Sequence, residues 1–223
     1  MMVTTPPQTR SELCQRAKQL AGMSLGELAT RLNKPIPVNL RRDKGWVGQL
    51  LEIALGADAN SKPLPDFQAL NIELKTLPIN KQGKPMESTF VCTIPLLDVS
   101  ALTWKTSLVY RKLQCVLWVP VQADSDVPLA ERMIATPFLW QPDAEQEAVL
   151  RTDWQELTDM ISLGQLEQIR AHHGTYLQVR PKGANAKALT WGFDSEGNKI
   201  LTLPRGFYLR SHFTAYLLQQ YFL

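Results

Sequence analysis

Residues 65–75 read Pro65-Asp66-Phe67-Gln68-Ala69-Leu70-Asn71-Ile72-Glu73-Leu74-Lys75. Residues 71–77 have strand character, and a strand sends successive side chains to opposite faces. Glu73 and Lys75 therefore project together, while Leu74 points the other way into a core. A carboxylate and an ammonium are thereby held side by side. Asp66, at the approach to the strand, can bring a second carboxylate to the same place. Two converging carboxylates suit one hard divalent cation, and the carbonyl of Leu74 offers a further oxygen.

This arrangement fits phosphodiester hydrolysis. That reaction needs a cation to neutralise charge developing on phosphorus, an activated water, and a positive group to orient the water, a role for Lys75. The same residues allow a plainer reading, with Asp66 as the N-cap of a short helical turn and Glu73 and Lys75 as a solvated strand face. Two neighbours bear on the choice. Residues 45–55 read as a helix with Trp46, Leu50, Ile53 and Ala54 as its apolar stripe and Gly56 as its stop. Glu52 lies on this helix, where a carboxylate needs a metal, a hydrogen bond or a cation to offset its burial. Lys112, just before the apolar run at residues 116–121, is either a further charge in the same cleft or a surface lysine.

Elsewhere, helices are expected from Ser11 and from Ser24, each capped by its serine. Pro35 and Pro37 enforce an extended connector. A second strand at residues 88–94 is expected to pair with residues 71–77 as a hairpin across Gln82-Gly83-Lys84-Pro85. Residues 116–121 suit a strand buried on both faces and bounded by Pro120. Residues 144–163 form an amphipathic helix, with Val149, Leu150, Trp154, Leu157, Met160 and Ile161 as its buried stripe and Gly164 as its break. Residues 176–180 and 200–203 read as strands. Ser211 caps a last helix, in which Phe213, Tyr216, Leu217 and Phe222 supply apolar contacts. Helices and strands interleave, so the expected class is α/β with a mixed central sheet.

With 223 residues and 44% hydrophobic content, the chain can build one large domain or two packed lobes without staples. Cys14, Cys92 and Cys115 are too scattered for a metal knuckle and odd in number for a disulfide framework, which points to a reducing cytosol. No apolar run approaches the ~18 residues of a membrane span, and the N-terminal stretch is too polar for a signal peptide. The net charge is only +3, but it is unevenly spread. Residues 34–119 carry 11 Lys/Arg against 7 Asp/Glu, residues 170–210 carry 7 against 2, and residues 120–167 between them carry 2 against 10. This reads either as a polyanion-facing side opposed by an acidic one, or as ordinary solvated surface.

Pro65-Asp66 with Glu73-Leu74-Lys75 spells the PD-(D/E)xK signature of restriction-type nucleases. That stretch, together with Arg41-Arg42-Asp43-Lys44-Gly45-Trp46, Thr89-Phe90-Val91-Cys92, Arg180-Pro181-Lys182 and Leu203-Pro204-Arg205-Gly206-Phe207-Tyr208-Leu209, resembles the MutH family of DNA mismatch-repair endonucleases over nearly the whole chain. The resemblance implies a restriction-endonuclease-like fold. One nuclease domain would span residues 1–223, with a catalytic lobe at about 1–106 and a DNA-reading lobe at 107–223 that form a cleft for duplex DNA. It implies Mg2+-dependent nicking of the unmethylated strand at hemimethylated GATC, 5′ of the guanine, leaving 5′-phosphate and 3′-hydroxyl ends.

Carried onto this sequence, the resemblance makes Asp66 and Glu73 metal ligands alongside Leu74, Glu52 a further acidic member, Lys75 the water-polarising group and Lys112 an accessory residue. Arg180 would contact a guanine edge, Pro181, Lys182 and Gly183 would bring the chain close, and Tyr208 would sense methylation in a glycine-containing turn. Lys44, Lys187 and Arg205 would touch phosphates. The implied partners are GATC-containing duplex DNA and MutL, with MutS acting through MutL, and the implied state is a cytoplasmic monomer. Two other readings use the same residues: a GATC-cutting restriction endonuclease that cleaves both strands, and a DNA-binding module without catalysis.

Overall fold

The computed structural model describes residues 5–38, 40, 43, 45–59, 64–183 and 187–222. Its elements are α1 (Arg10–Lys18), α2 (Leu25–Arg31), α3 (Trp46–Leu55), β1 (Glu73–Ile79), β2 (Thr89–Thr93), α4 (Leu108–Leu113), β3 (Val116–Gln122), β4 (Phe138–Trp140), α5 (Ala144–Ser162), β5 (Leu177–Pro181), β6 (Thr190–Phe193), β7 (Lys199–Thr202), β8 (Arg205–Leu209) and α6 (Ser211–Phe222), with short 3-10 turns between them. This is a mixed α/β fold. Two units divide it, Met1–Met86 with Gln114–Gln141 and Glu87–Leu113 with Pro142–Leu223. The chain thus crosses between units after residues 86, 113 and 141, whereas the expected lobes met once, at 106/107. The extra crossings follow from strand pairing, which joins β1 to a strand far along the chain.

In the first unit β1 lies parallel to β3, with Glu73 opposite Val116 and Lys75 opposite Trp118. β4 then adds antiparallel to the far side of β3, giving the order β1-β3-β4. The expected β1–β2 hairpin does not form. Its turn is real, since Asn80 Oδ1 accepts the N–H groups of Gln82 and Lys84 and Ile79 bridges Pro85. β1 pairs instead with β3, whose residues Val116 to Val121 are all buried, and β2 joins β8 in the other unit.

β3 also runs through Pro120 to Gln122 instead of ending at the proline. The carbonyl of Pro120 accepts the N–H of Ala135, so the missing donor faces the β4 side, beyond the last β3–β4 pair at Trp118 and Phe138. Three helices cover this sheet. Thr9, not Ser11, caps α1, its hydroxyl accepting the Glu12 N–H at 3.1 Å. Ser24 and Glu27 form the capping box of α2. α3 ends on Gly56 in the left-handed region at φ 79° and buries Leu50, Leu51 and Leu55. That face turns Ile53 outward to 40% exposure, correcting its place in the expected stripe. Leu13, Leu25, Leu51, Leu55, Phe67 and Leu74 close the core.

In the second unit β8 is the middle strand of an antiparallel sheet ordered β2-β8-β5. A bulge at Val91 separates the Phe90↔Tyr208 pair from the Cys92↔Phe207 pair. One face of the sheet is buried through Leu177, Phe207 and Leu209, and α5 packs against β5. Asp143 and Gln146 form a capping box at the start of α5, whose buried stripe includes the expected Leu150, Trp154, Leu157 and Ile161. Val149 and Met160 are only half-buried. Phe213 and Leu217 of α6 are fully buried, whereas Tyr216 and Phe222, also expected to supply apolar contacts, are 42% and 47% exposed. β6 and β7 form a separate antiparallel pair.

Candidate active centre and nucleic-acid interface

The strand alternation read from residues 71–77 holds. Leu74 packs into the first unit's core at 7% exposure, and Glu73 and Lys75 occupy the opposite face. That face is not solvated, because Glu73 is only 2% exposed. Lys75 Nζ donates to Glu73 Oε1 at 2.6 Å, with the lysine side chain 12% exposed. Burial strengthens this pair electrostatically and makes each charge depend on the other.

Asp66 does not cap the 3-10 turn that follows it, whose N-cap residue is Phe67 with no side-chain bond. Its Oδ2 instead accepts the N–H of Leu74 at 2.8 Å. A residue's N–H and C=O point to the same edge of a strand, and Glu73 N–H faces β3 through its bond to Cys115 O. Leu74 therefore turns both its amide and its carbonyl to the outer edge of β1, where Asp66 is. Asp66 thus lies at the outer edge of β1 beside Leu74, and Glu73 stands on the strand face next to it.

Among the described residues no group of three or more His, Cys, Asp or Glu side chains gathers as a metal cage. The donors here are hard oxygens, two of them carboxylates. That suits a divalent cation that keeps several waters and borrows further ligands from substrate phosphate. Glu52 is half-buried on α3, a helix that packs against β1. Lys112 is half-buried on α4 and belongs to the second unit.

The DNA-reading candidates gather on the open face of the β2-β8-β5 sheet. Tyr208 pairs with Phe90 on one side and Gln178 on the other, and Arg180 pairs with Gly206. Tyr208 is thus a strand residue, not part of a turn as expected. Its ring meets Phe90 edge-on at 5.3 Å, and the Arg180 guanidinium lies 5.8 Å from its centroid. Burial pushes the Tyr208 phenol above its ordinary pKa, with Arg180 acting the other way. Ser88 Oγ accepts from Gln178 Nε2 at 2.7 Å and from Arg180 Nη1 at 3.2 Å. Lys182 Nζ lies 3.9 Å over the Phe90 ring.

Pro181, Lys182, Gly183 and Lys187 are exposed, and Lys44 lies outside the described residues. Arg205 departs from its expected role as a phosphate contact. It is 9% exposed and held by Glu167 Oε1 at 2.6 Å, because its odd position on β8 turns it away from the Tyr208 face. Ser88, Phe90 and Gln178 were not named as site residues. The period-two spacing of 88 with 90 and of 178 with 180 and 182 was the available signal.

A family model described as "DNA mismatch repair enzyme MutH" matches residues 55–153, which include Asp66, Glu73, Lys75 and Lys112. The chain is 55% identical over 219 residues to the DNA mismatch repair protein MutH of Escherichia coli O6:K15:H31 (strain 536 / UPEC), covering 98% of this chain and 96% of that protein. The MutH protein of Escherichia coli strain K12 gives the same identity and coverage. Similarity of this extent means that the chain belongs to the MutH family of DNA mismatch-repair enzymes.

Proposed function

We propose that this mismatch-repair endonuclease nicks the unmethylated strand of hemimethylated GATC sites on the 5′ side of the guanine, with Mg2+ as its cofactor. The carrying observation is the closure at the start of β1, where Asp66 Oδ2 holds the Leu74 amide and Glu73 holds Lys75. A bound cation supplies charge neutralisation at the phosphoryl group and acidifies a water. Asp66, Glu73 and the Leu74 carbonyl would hold it. Lys75, fixed against Glu73 Oε1, orients the attacking water, and a compact ammonium suits that place better than a planar guanidinium. Glu52 adds to the acidic side of the centre, and Lys112 is the accessory cation.

On the sheet face, Arg180 is suited to bidentate contact with the guanine edge. The exposed Pro181, Lys182 and Gly183 let the chain approach the duplex closely. Tyr208 presses on the methyl-bearing edge of adenine. Lys44 and Lys187 contact phosphates and position the duplex without reading it. One active centre suffices for one nick, so the enzyme acts as a monomer, in the cytoplasm where it meets DNA. Among the described residues no helix is long and apolar enough to cross a membrane.

MutL is the proposed activator, downstream of MutS. Its proposed surface is the acidic outer side of α5, at Glu145, Glu156 and Asp159, or α6, which carries no Asp, Glu, Lys or Arg. Charge reversal on α5 combined with substitutions on α6 should abolish MutL stimulation, and unchanged stimulation would remove this surface.

The central test is cleavage of unmethylated, hemimethylated and fully methylated GATC duplexes with Mg2+ or EDTA. Nicks confined to unmethylated strands and lost in EDTA are expected. Early double-strand cuts would favour a restriction enzyme instead. Asp66→Ala should lower nicking by roughly a hundredfold or more while DNA binding persists, and unchanged nicking would leave only a binding module.

A further inference from the structure

Asp153 sits on the inward side of α5 at 3% exposure, where a carboxylate is costly unless its oxygens are satisfied. Its Oδ1 accepts the N–H of Thr175 at 2.7 Å, and its Oδ2 accepts those of Tyr176 at 2.5 Å and Leu177 at 2.8 Å. Three successive amides turned onto one anion form a nest, and here the anion is built into the neighbouring helix. Leu177 is also the first residue of β5.

The segment before the strand is braced from other sides. Gly174 adopts φ +76°, and a Cβ there would fall 2.3 Å from the carbonyl oxygen of Leu177, so no other residue fits without rearrangement. Arg210 Nη2 donates to the carbonyls of Ala171 and His173 at 2.7 Å, and the Arg210 amide donates to Tyr176 O at 2.8 Å.

β5 is the strand that presents Gln178 and Arg180 on the face shared with Tyr208. A slip of one residue would send Gln178 and Arg180 to the buried face and Val179 outward. The β5–β8 ladder is an outer pair of its sheet, so it is pinned on one side only. The three amides fixed by Asp153 run into its first residue, Leu177, and leave no slack through which the register can move.

We propose that Asp153 is a positioning residue for site recognition: by holding the amides of Thr175, Tyr176 and Leu177, it sets the register of β5 and hence the placement of Arg180 against DNA. The inference rests on the reading of this sheet face as the DNA-reading surface. Asp153 touches neither DNA nor the reacting atoms.

The test compares full-length wild type, Asp153→Asn, Asp153→Glu, Arg180→Ala and the Asp153→Asn/Arg180→Ala double variant. Each is assayed for nicking of a hemimethylated GATC duplex and of one with the guanine replaced by adenine. Asp153→Asn removes the charge and replaces one of the two acceptor oxygens with an NH2 group that faces a main-chain donor. It should raise KM for GATC and lower discrimination between the duplexes by about tenfold or more, the discrimination of one good base contact, with kcat at saturating DNA little changed. Asp153→Glu keeps the charge and should lose less. The double variant should be no worse than Arg180→Ala, because both changes remove the same contact.

Wild-type discrimination in Asp153→Asn, or losses that multiply in the double variant, would overturn the inference. If Arg180→Ala itself leaves discrimination intact, the DNA-reading assignment of the face falls, and the inference with it. If Asp153→Asn does not fold, Asp153→Glu paired with Arg180→Ala carries the same cycle, and additive losses there overturn the inference equally.

Discussion

At residue scale, the proposed mechanism gives Lys75 two duties, because the ammonium proposed to orient water also compensates a carboxylate 2% exposed. Lys75→Ala should therefore destabilise as well as inactivate. A buried charge stripped of its counter-ion costs on the order of 3 kcal/mol, read as a lowered Tm in EDTA. A variant inactive but thermally unchanged would mean that the ion pair contributes nothing to the fold. Lys75→Arg should keep more stability than activity, since a guanidinium restores charge without restoring shape.

Much of this centre was legible because strand alternation is a local rule. Given a strand at 73–75, Leu74 had to oppose its neighbours. The bond from Asp66 to the Leu74 amide was not legible, because a side chain that reaches back to main chain leaves no periodic trace. Nothing in sequence separated that bond from a helix cap. The opposite error occurred at Arg205, where a basic residue in a basic region looked free and is held instead by Glu167.

At element scale, the β2-β8-β5 sheet depends on close contact across its open face. A Cβ on Gly206 would lie 2.9 Å from Phe90 Cε2, 3.2 Å from the Cys92 carbonyl oxygen and 3.3 Å from Tyr208 Cε2. Gly206→Ala should cost about 1–3 kcal/mol through overpacking and should weaken DNA binding by displacing both rings. Unchanged Tm and affinity would show that the rings yield freely.

The contact between the 3-10 turn at Trp104–Thr106 and α5 gives a pH signature. Lys105, and after it the Trp104 indole, donate to Glu147 and hold its carboxyl below the usual carboxylate range. A depressed value stabilises above the ordinary carboxylate pKa, and that contribution disappears as pH falls through the lowered one. The Tm gap between wild type and Glu147→Gln should therefore be greatest near neutrality and close on acidification. It should stay within about 1 kcal/mol, because the pair is solvent-screened. A gap that widens in acid would contradict the assignment.

Elements with strong local signals were legible: the Ser24 cap, the Gly56 stop and most of the α5 stripe. Strand partners were not. The Gln82-Gly83 turn argued for a β1–β2 hairpin, but β1 pairs with β3 and β2 with β8, partners remote in sequence that local turn chemistry does not specify.

At the scale of the whole molecule, each unit is assembled from separated stretches of chain. A fragment ending at residue 106 lacks β3 and β4 and should show no cooperative melting, whereas two independent lobes divided there would leave an N-terminal half that melts as wild type does. The parallel β1–β3 ladder also imposes an order on synthesis. Residues 73–79 leave the ribosome on the order of a few seconds before residues 116–122. Throughout that interval the strand bearing Glu73 and Lys75 has no parallel neighbour, so the nascent enzyme must carry its chemical centre half-built and vulnerable to mispairing until β3 arrives.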